Sequence, residues 1–266
     1  SVNNVISRSV RDTALLTQLS QGPEAGSRVS PPTADLLAAL AQAPRGLRIG
    51  LLETNLFGTG LHAECLEAVR KAATLCAGLG HHVEPITLSE LPFMEMFGGL
   101  GIMTGTGLLV SVQAREKQLG RAAREDEIEP VNWRNLQKAK TYTAAQLYGA
   151  RAVFDQGGRV FDQLFGRYDF ILSPTTAGLP PKLGEISLDQ PYDDFARNAV
   201  LASPFTAMFN MSGHPAMSVP LHWSAEGLPV GVQFAAPFGA EARLIALAAQ
   251  LEQAAPWADR RPPALA

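Results

Sequence analysis

Apolar residues recur along this chain with two periods, and each period predicts an element. Val10, Ala14, Leu15 and Leu19 recur at helical spacing, so a helix is predicted over residues 9–19. Ser9 followed by Asp12 supplies an S-x-x-D cap for it. The stretch "GPEAGSRVSPPTADLLAALAQAPRG" reads as loop, short helix and loop, with prolines before the helix and Pro44 and Gly46 after it. "LRIGLLE" at 47–53 is a short apolar run between turn residues and suits a buried strand. A helix follows over 62–80, with Cys65, Val69, Ala72, Ala73 and Cys76 on one side and Gly78 and Gly80 at its end. "HHVEPI" is the next strand. Strand, helix and strand form a βαβ unit, so the fold class is α/β with a mixed or parallel sheet covered by helices.

Residues 92–165 read as mostly helical, broken by an exposed charged turn in "REKQLGRAAREDEIEP". The pattern over 142–165 is one long helix, weakened at Gly157-Gly158. "YDFILSPTTAGLPP" gives a further buried strand ended by Pro174. Residues 216–221 and 229–234 are the arms of a hairpin turned by "SAEG", and 241–254 is an amphipathic helix. No linker or low-complexity segment divides the 266 residues.

Composition excludes more than it assigns. A net charge of −3 with no basic stripe argues against nucleic acid as a partner. No uninterrupted apolar run of about 18 residues is present, so no membrane span is expected. The two cysteines lie eleven residues apart on one predicted helix, which separates their Cα atoms by about 16 Å, beyond disulfide reach. They are expected to be half-buried core thiols in a reducing compartment, and a cytoplasmic location is expected with them.

The chemistry-bearing residues do not assemble into a catalytic pattern on spacing alone. Ser218 has His214, His222, Asp193 and Asp194 nearby in sequence, but it sits mid-strand in "PAMSVP" rather than on an exposed turn. His81 and His82 are adjacent and point to opposite faces of a strand; with no H-E-x-x-H or Cys/His ligand spacing, no metal site is expected. The histidines are expected to be surface groups or polar groups supporting others. "GTG" at 58–60 lacks the third glycine of a dinucleotide fingerprint, since Ala63 stands there. "GGLGIMTGTG" at 98–107 follows no strand and is expected to pack helices closely or to line a cavity. The run Glu125, Asp126, Glu127 and Glu129 reads as a solvated face. No cofactor is expected.

Three stretches together resemble the amidase signature family: "SRSVRDTALLTQLSQGPEAGS" (7–27), "YDFILSPTTAGLPPKLGEI" (168–186) and "FTAMFNMSGHPAMSVPLHWSAEGLPVGVQFAAPFGAEARLIALAAQLEQAAPW" (205–257). Their order and spacing agree with the family over nearly the whole chain. The resemblance implies hydrolysis of an amide carbon–nitrogen bond by a Ser–cis-Ser–Lys triad, in which an amine-activated serine is relayed through a second serine beside a glycine-rich oxyanion loop. That lysine and the G-G-S-S-G-G-S-like segment would lie upstream of the S-V-R-D helix. No such string occurs here, and Lys71, Lys117, Lys138, Lys140 and Lys182 match no such motif. The resemblance therefore implies that residues 1–266 are the C-terminal portion of a single amidase domain, inactive alone, with no catalytic residue to carry over.

By position in the resemblance, one wall of the substrate cavity is expected from Thr175, Thr176, Phe205, Asn210, Met103 and Thr104. The branch that acts on charged transfer RNA carries an Asp three residues before the motif Thr; Thr206 is that Thr here, and Ser203 stands in the Asp position. This points to hydrolases of small amides, of the cyclic-amide and nylon-oligomer type. The expected partners are a small-molecule amide and the remaining N-terminal half, whose loss would expose apolar surface, with a homodimer left open. The alternative is a non-catalytic binding module that kept the body and lost the triad; a nucleotide-binding domain using "LFGTG" ranks last.

Overall fold

The computed structural model describes residues 4–27, 33–202 and 204–261; Ser1 and Ser203 lie outside them. The elements run α1 (Val10–Ser20), α2 (Leu36–Ala39), β1 (Arg48–Leu51), α3 (Ala63–Gly78), β2 (His82–Pro85), α4 (Phe93–Leu119), α5 (Pro130–Ala139), α6 (Ala144–Phe165), β3 (Phe170–Pro174), α7 (Tyr192–Ala202), α8 (Thr206–Ser212), β4 (Ala216–Trp223), β5 (Pro229–Ala235) and α9 (Glu241–Ala254). The strands form one mixed sheet in the order β2-β1-β3-β5-β4. β1 pairs in parallel with β2 and β3, and β5 pairs antiparallel with β3 and β4. The βαβ unit and the hairpin are thus those expected from the sequence.

Strand periodicity sorts the core into two layers. Ile49, Phe170, Leu172, Val232 and Phe234 face α3 and α9, where Val69, Ala72 and Leu247 meet them. Ile171 and Ala235 face the other way, toward Phe161, Phe205, Met208 and Phe209. β3 is buried at all five positions because both faces are covered, which is why its sequence is apolar without alternation. Cys65 and Cys76 are fully rather than half buried, since the small-residue stripe of α3 lies directly on the sheet.

Other expectations change. Leu15 and Leu19 of α1 are 41% and 74% exposed, and only Val10 and Ala14 of the helix are buried; helical spacing assigned them a shared face, but among the described residues no element buries it. α6 continues through Gly157 without weakening, because Met96 of α4 fills the space that a side chain at Gly157 would take. "GGLGIMTGTG" is the middle of α4 and packs helices closely, one of the two roles expected for it: Gly99 packs on Ala150 and Phe154, and Gly105 on Tyr142 and Ala139, so these glycines bring α4 close to α5 and α6. α7 was not foreseen, and α4 is long and apolar enough to cross a membrane by length and composition, with 22% of its best window buried. Glycines, threonines and a serine interrupt its apolar residues, so a search for an unbroken run passes over it. In this fold it packs on α5, α6 and α8.

Candidate active-site face

Parallel strands gather ligand-binding groups beyond their carboxyl ends. Here β1 and β3 deliver two loops to that edge, joined by the His62 N–H donating to the Ala177 carbonyl at 2.8 Å. In the first loop Asn55 folds the turn: its Oδ1 accepts from the Phe57 N–H at 2.9 Å and its Nδ2 donates to Thr59 Oγ1 at 2.6 Å. Phe57 then meets Phe93 and Phe97 edge-on, with ring centroids 4.8 and 4.7 Å apart. In the second loop the Thr176 hydroxyl donates to the Gly178 carbonyl at 2.8 Å.

The sheet face beneath changes character along β3. Ser173, Gln233 and Ser218 lie opposite one another across three strands, so their side chains share a face. Gln233 is buried, and its Nε2 donates to Ser173 Oγ at 3.2 Å and to the Phe205 carbonyl at 3.3 Å. This ties the start of α8 to the sheet. Further along, Thr175 Oγ1 and Ser218 Oγ lie 2.7 Å apart. They meet over Gly231, where an added Cβ would stand 2.6 Å from one hydroxyl and 2.9 Å from the other. The face is thus apolar at Ile171 and Ala235 and polar, part-exposed at Thr175 and Ser218.

The residues expected in a cavity wall separate on this fold. Thr175 and Thr176 sit together at the carboxyl end of β3. The Phe205 side chain is 1% exposed and belongs to the core, so it reaches the site only through its carbonyl. Asn210 is exposed on α8; Met103 is half-buried and Thr104 exposed on α4, with the Thr104 hydroxyl donating back to the Leu100 carbonyl at 2.8 Å.

No activated nucleophile is built from the described residues. Ser218 bonds Thr175, a hydroxyl with no base behind it. His214 instead bonds Ser212 Oγ (3.0 Å) through Nδ1 and Asp162 Oδ1 (3.1 Å) through Nε2, a Ser–His–Asp set that spacing did not reveal because Asp162 comes from α6. Its exposure is the reverse of a hydrolase triad. The His214 side chain is 3% exposed against Phe161 and Phe165, while Asp162 is 66% exposed. Ser212 ends α8, where the helix dipole opposes a developing oxyanion. Burial pushes His214 below its ordinary pKa, with Asp162 acting in the opposite direction. The set is a tie between α6 and α8.

Of the other histidines, His62 and His82 are exposed, as expected, whereas His81 and His222 are buried polar groups. His81 is buried, with Nε2 3.0 Å from Gln250 Oε1 and Nδ1 accepting from the Leu47 N–H at 3.3 Å. His222 is buried between Glu64 and Lys71. The acidic run is exposed at all four positions, as expected, and within it Glu127 accepts from Arg121 at 2.6 and 2.8 Å and from the Arg124 N–H at 3.0 Å.

A second feature lies at the sheet's outer edge. β4 is a terminal strand of eight residues. Beside it runs a groove of about 720 Å³ lined by Val10, Met217, Val219, Trp223, Ile245 and Trp257. Its floor joins the first and third motif stretches: Trp257 Nε1 donates to the Arg8 carbonyl at 3.1 Å, and Glu252 accepts from the Val10 N–H at 3.1 Å. Pro220 and the irregularity between Val219 and His222 interrupt this edge, so strand addition there is confined to the stretch before them.

Comparison with known proteins agrees with this architecture. The 6-aminohexanoate-cyclic-dimer hydrolase of Pseudomonas sp. (strain NK87) is 32% identical over 97% of this chain and 54% of its own length. A solved structure of 6-aminohexanoate cyclic dimer hydrolase complexed with substrate superposes with a TM-score of 0.88 at 30% identity, over 98% of this chain and 56% of that one. A bacterial aryl acylamidase of the amidase signature enzymes matches at 26% identity and a TM-score of 0.79, over 96% of this chain and 55% of its own. The chain spans about half the length of the curated relatives it matches. The amidase family model covers residues 1–245. With that match, and with the sheet and helices of amidase signature enzymes, the chain belongs to the amidase signature family.

Proposed function

We propose that this chain is the body of an amide hydrolase of the Ser–cis-Ser–Lys type acting on a small amide, and that residues 1–266 alone are inactive. The observation that carries the reading is a pair of unequal coverages. Relatives named as cyclic-dimer hydrolases align with 97% of this chain but 54% of their own length. Among the described residues, Ser218 has a hydroxyl rather than a base beside it, and Ser212, the serine bonded by His214, ends α8 with that imidazole buried against Phe161 and Phe165. The triad and its oxyanion loop then belong to a segment outside these residues, which adds to the edge of β4 ahead of Pro220 and closes a cavity over the Thr175–Ser218 face.

In that cavity Thr175, Thr176 and Asn210 line one wall, with Met103 and Thr104 of α4 beyond them. Phe205 sets the turn before α8 through its carbonyl. The cyclic-dimer relatives favour small linear or cyclic amides of the nylon-oligomer kind as substrates, with a cytoplasmic location suited to two reduced thiols.

The test measures hydrolysis of 6-aminohexanoate cyclic dimer and of small linear amides by the 266-residue chain and by the product of its whole reading frame. The whole product should be active and lose activity when the serine of a glycine- and serine-rich segment is replaced, while the 266 residues alone should be inert. Robust turnover by the 266 residues alone would overturn the reading. A reading frame that encodes no such segment would favour a non-catalytic partner module instead.

A further inference from the structure

Apart from the Thr175–Ser218 pair, α3 and the β4–β5 hairpin bring together a second group of donor atoms. Glu64 and Glu67 stand three apart on α3, on neighbouring positions of one helix face. His222 arrives from β4, next to the irregularity between Val219 and His222 that re-aims the strand. One ligand atom from each of Glu64, Glu67 and His222 lies within 4.8 Å of the other two. His222 Nε2 is 2.7 Å from Glu64 Oε2, and the other Glu64 oxygen accepts from the Ala225 N–H at 2.9 Å. The fourth member is Lys71, whose Nζ lies 2.7 Å from Glu67 Oε1 and 3.5 Å from His222 Nδ1.

We propose that Glu64, Glu67 and His222 form a binding site for a divalent transition metal, with zinc as the representative ion. Carboxylate and imidazole donors are the set that suits zinc, cobalt and nickel. Two carboxylates and a neutral imidazole carry a charge of −2, which one divalent ion neutralises. The Lys71 ammonium supplies only +1, on a side chain that is 56% exposed and free to swing into water. Lys71 is therefore the internal competitor, and an entering ion displaces it. Glu64 has its second oxygen fixed by the Ala225 N–H, which is the outer support that metal-binding carboxylates use. A bound ion would clasp the hairpin to α3. Spacing could not reveal the set, because His222 is 158 residues from Glu64.

The test titrates zinc by calorimetry, and cobalt by its visible absorption, into the chain freed of affinity tags and chelator. One ion per chain is expected, with a rise in melting temperature. Glu67→Gln, on an exposed side chain and with its fold checked by circular dichroism, should weaken zinc binding about tenfold or more, and His222→Gln should weaken it further. Lys71→Ala should tighten binding, which no purely structural ion-pair network would do. The exposed His82 serves as a control, and its alanine variant should bind as the parent does. Absence of one-to-one binding, indifference to Glu67→Gln, no tightening in Lys71→Ala, or loss of binding in the His82 control would each overturn the proposal.

Discussion

Thr175 and Ser218 come from strands 43 residues apart, yet their hydroxyls meet at 2.7 Å over the bare backbone of Gly231. The absent side chain is what lets them meet. Gly231→Ala should push the hydroxyls apart and cost about 1–3 kcal/mol by urea unfolding, as overpacking does. Combined with Ser218→Ala, the loss should be less than additive, because the clash partner is then gone. Additive losses would mean that the two positions do not share that space.

Gln233 holds the Phe205 carbonyl and Ser173 from a buried position. Gln233→Leu preserves bulk but removes the donor, leaving two acceptors without it. The expected loss is about 1–3 kcal/mol in denaturant midpoint and slope analysis. A neutral result would show that Gln233 is replaceable packing.

His214 carries a pH dependence with a definite sign. Burial lowers its pKa below the ordinary 6.5 although Asp162 pulls the other way. A base with a depressed folded pKa binds fewer protons folded than unfolded. Its stabilising contribution is therefore complete above about pH 6.5 and is lost as pH falls toward the folded value. Melting temperature should drop on acidification through this window, and His214→Gln should flatten that drop. An unchanged slope in the variant would assign the dependence to other groups.

Glu127 loses its contribution in the same direction, in a more acidic window. Its hydrogen bond with Arg121, then the Arg124 N–H, lower its pKa from 4.5 to about 2. Its contribution is present above about pH 4.5 and disappears as pH falls through about 2. The difference in melting temperature between the parent and Glu127→Gln should shrink across that window. Carboxyl chemical shifts measured during an acid titration should give the midpoint directly.

The thiols should be silent in the native protein. Burial pushes Cys76 up to about 12 and raises Cys65 as well. Neither should react with a thiol reagent at pH 8, and both should react in guanidinium chloride. A fast-reacting native thiol would mean that α3 opens from the sheet.

The sequence by itself determined the elements whose cause is local. "FILSP" reads as a buried strand because every position is apolar or small. Ser9 caps α1, its hydroxyl accepting from the Asp12 N–H at 3.1 Å. "SAEG" turns a hairpin whose arms are β4 and β5. The family was legible because three motif stretches, which span α1, β3 and α8 to α9 with their connecting turns, occur in the expected order and spacing. What only the tertiary structure decided is which faces meet. Leu15 and Leu19 have helical spacing but no cover among the described residues, and Gly157 looks like a break but receives Met96. His214 and His222 look like neighbours of one serine, yet they bond Asp162 and Glu64 on opposite sides of the sheet. Periodicity fixes the direction of a side chain relative to its own element, whereas its partner depends on how distant elements pack, and no local pattern encodes that.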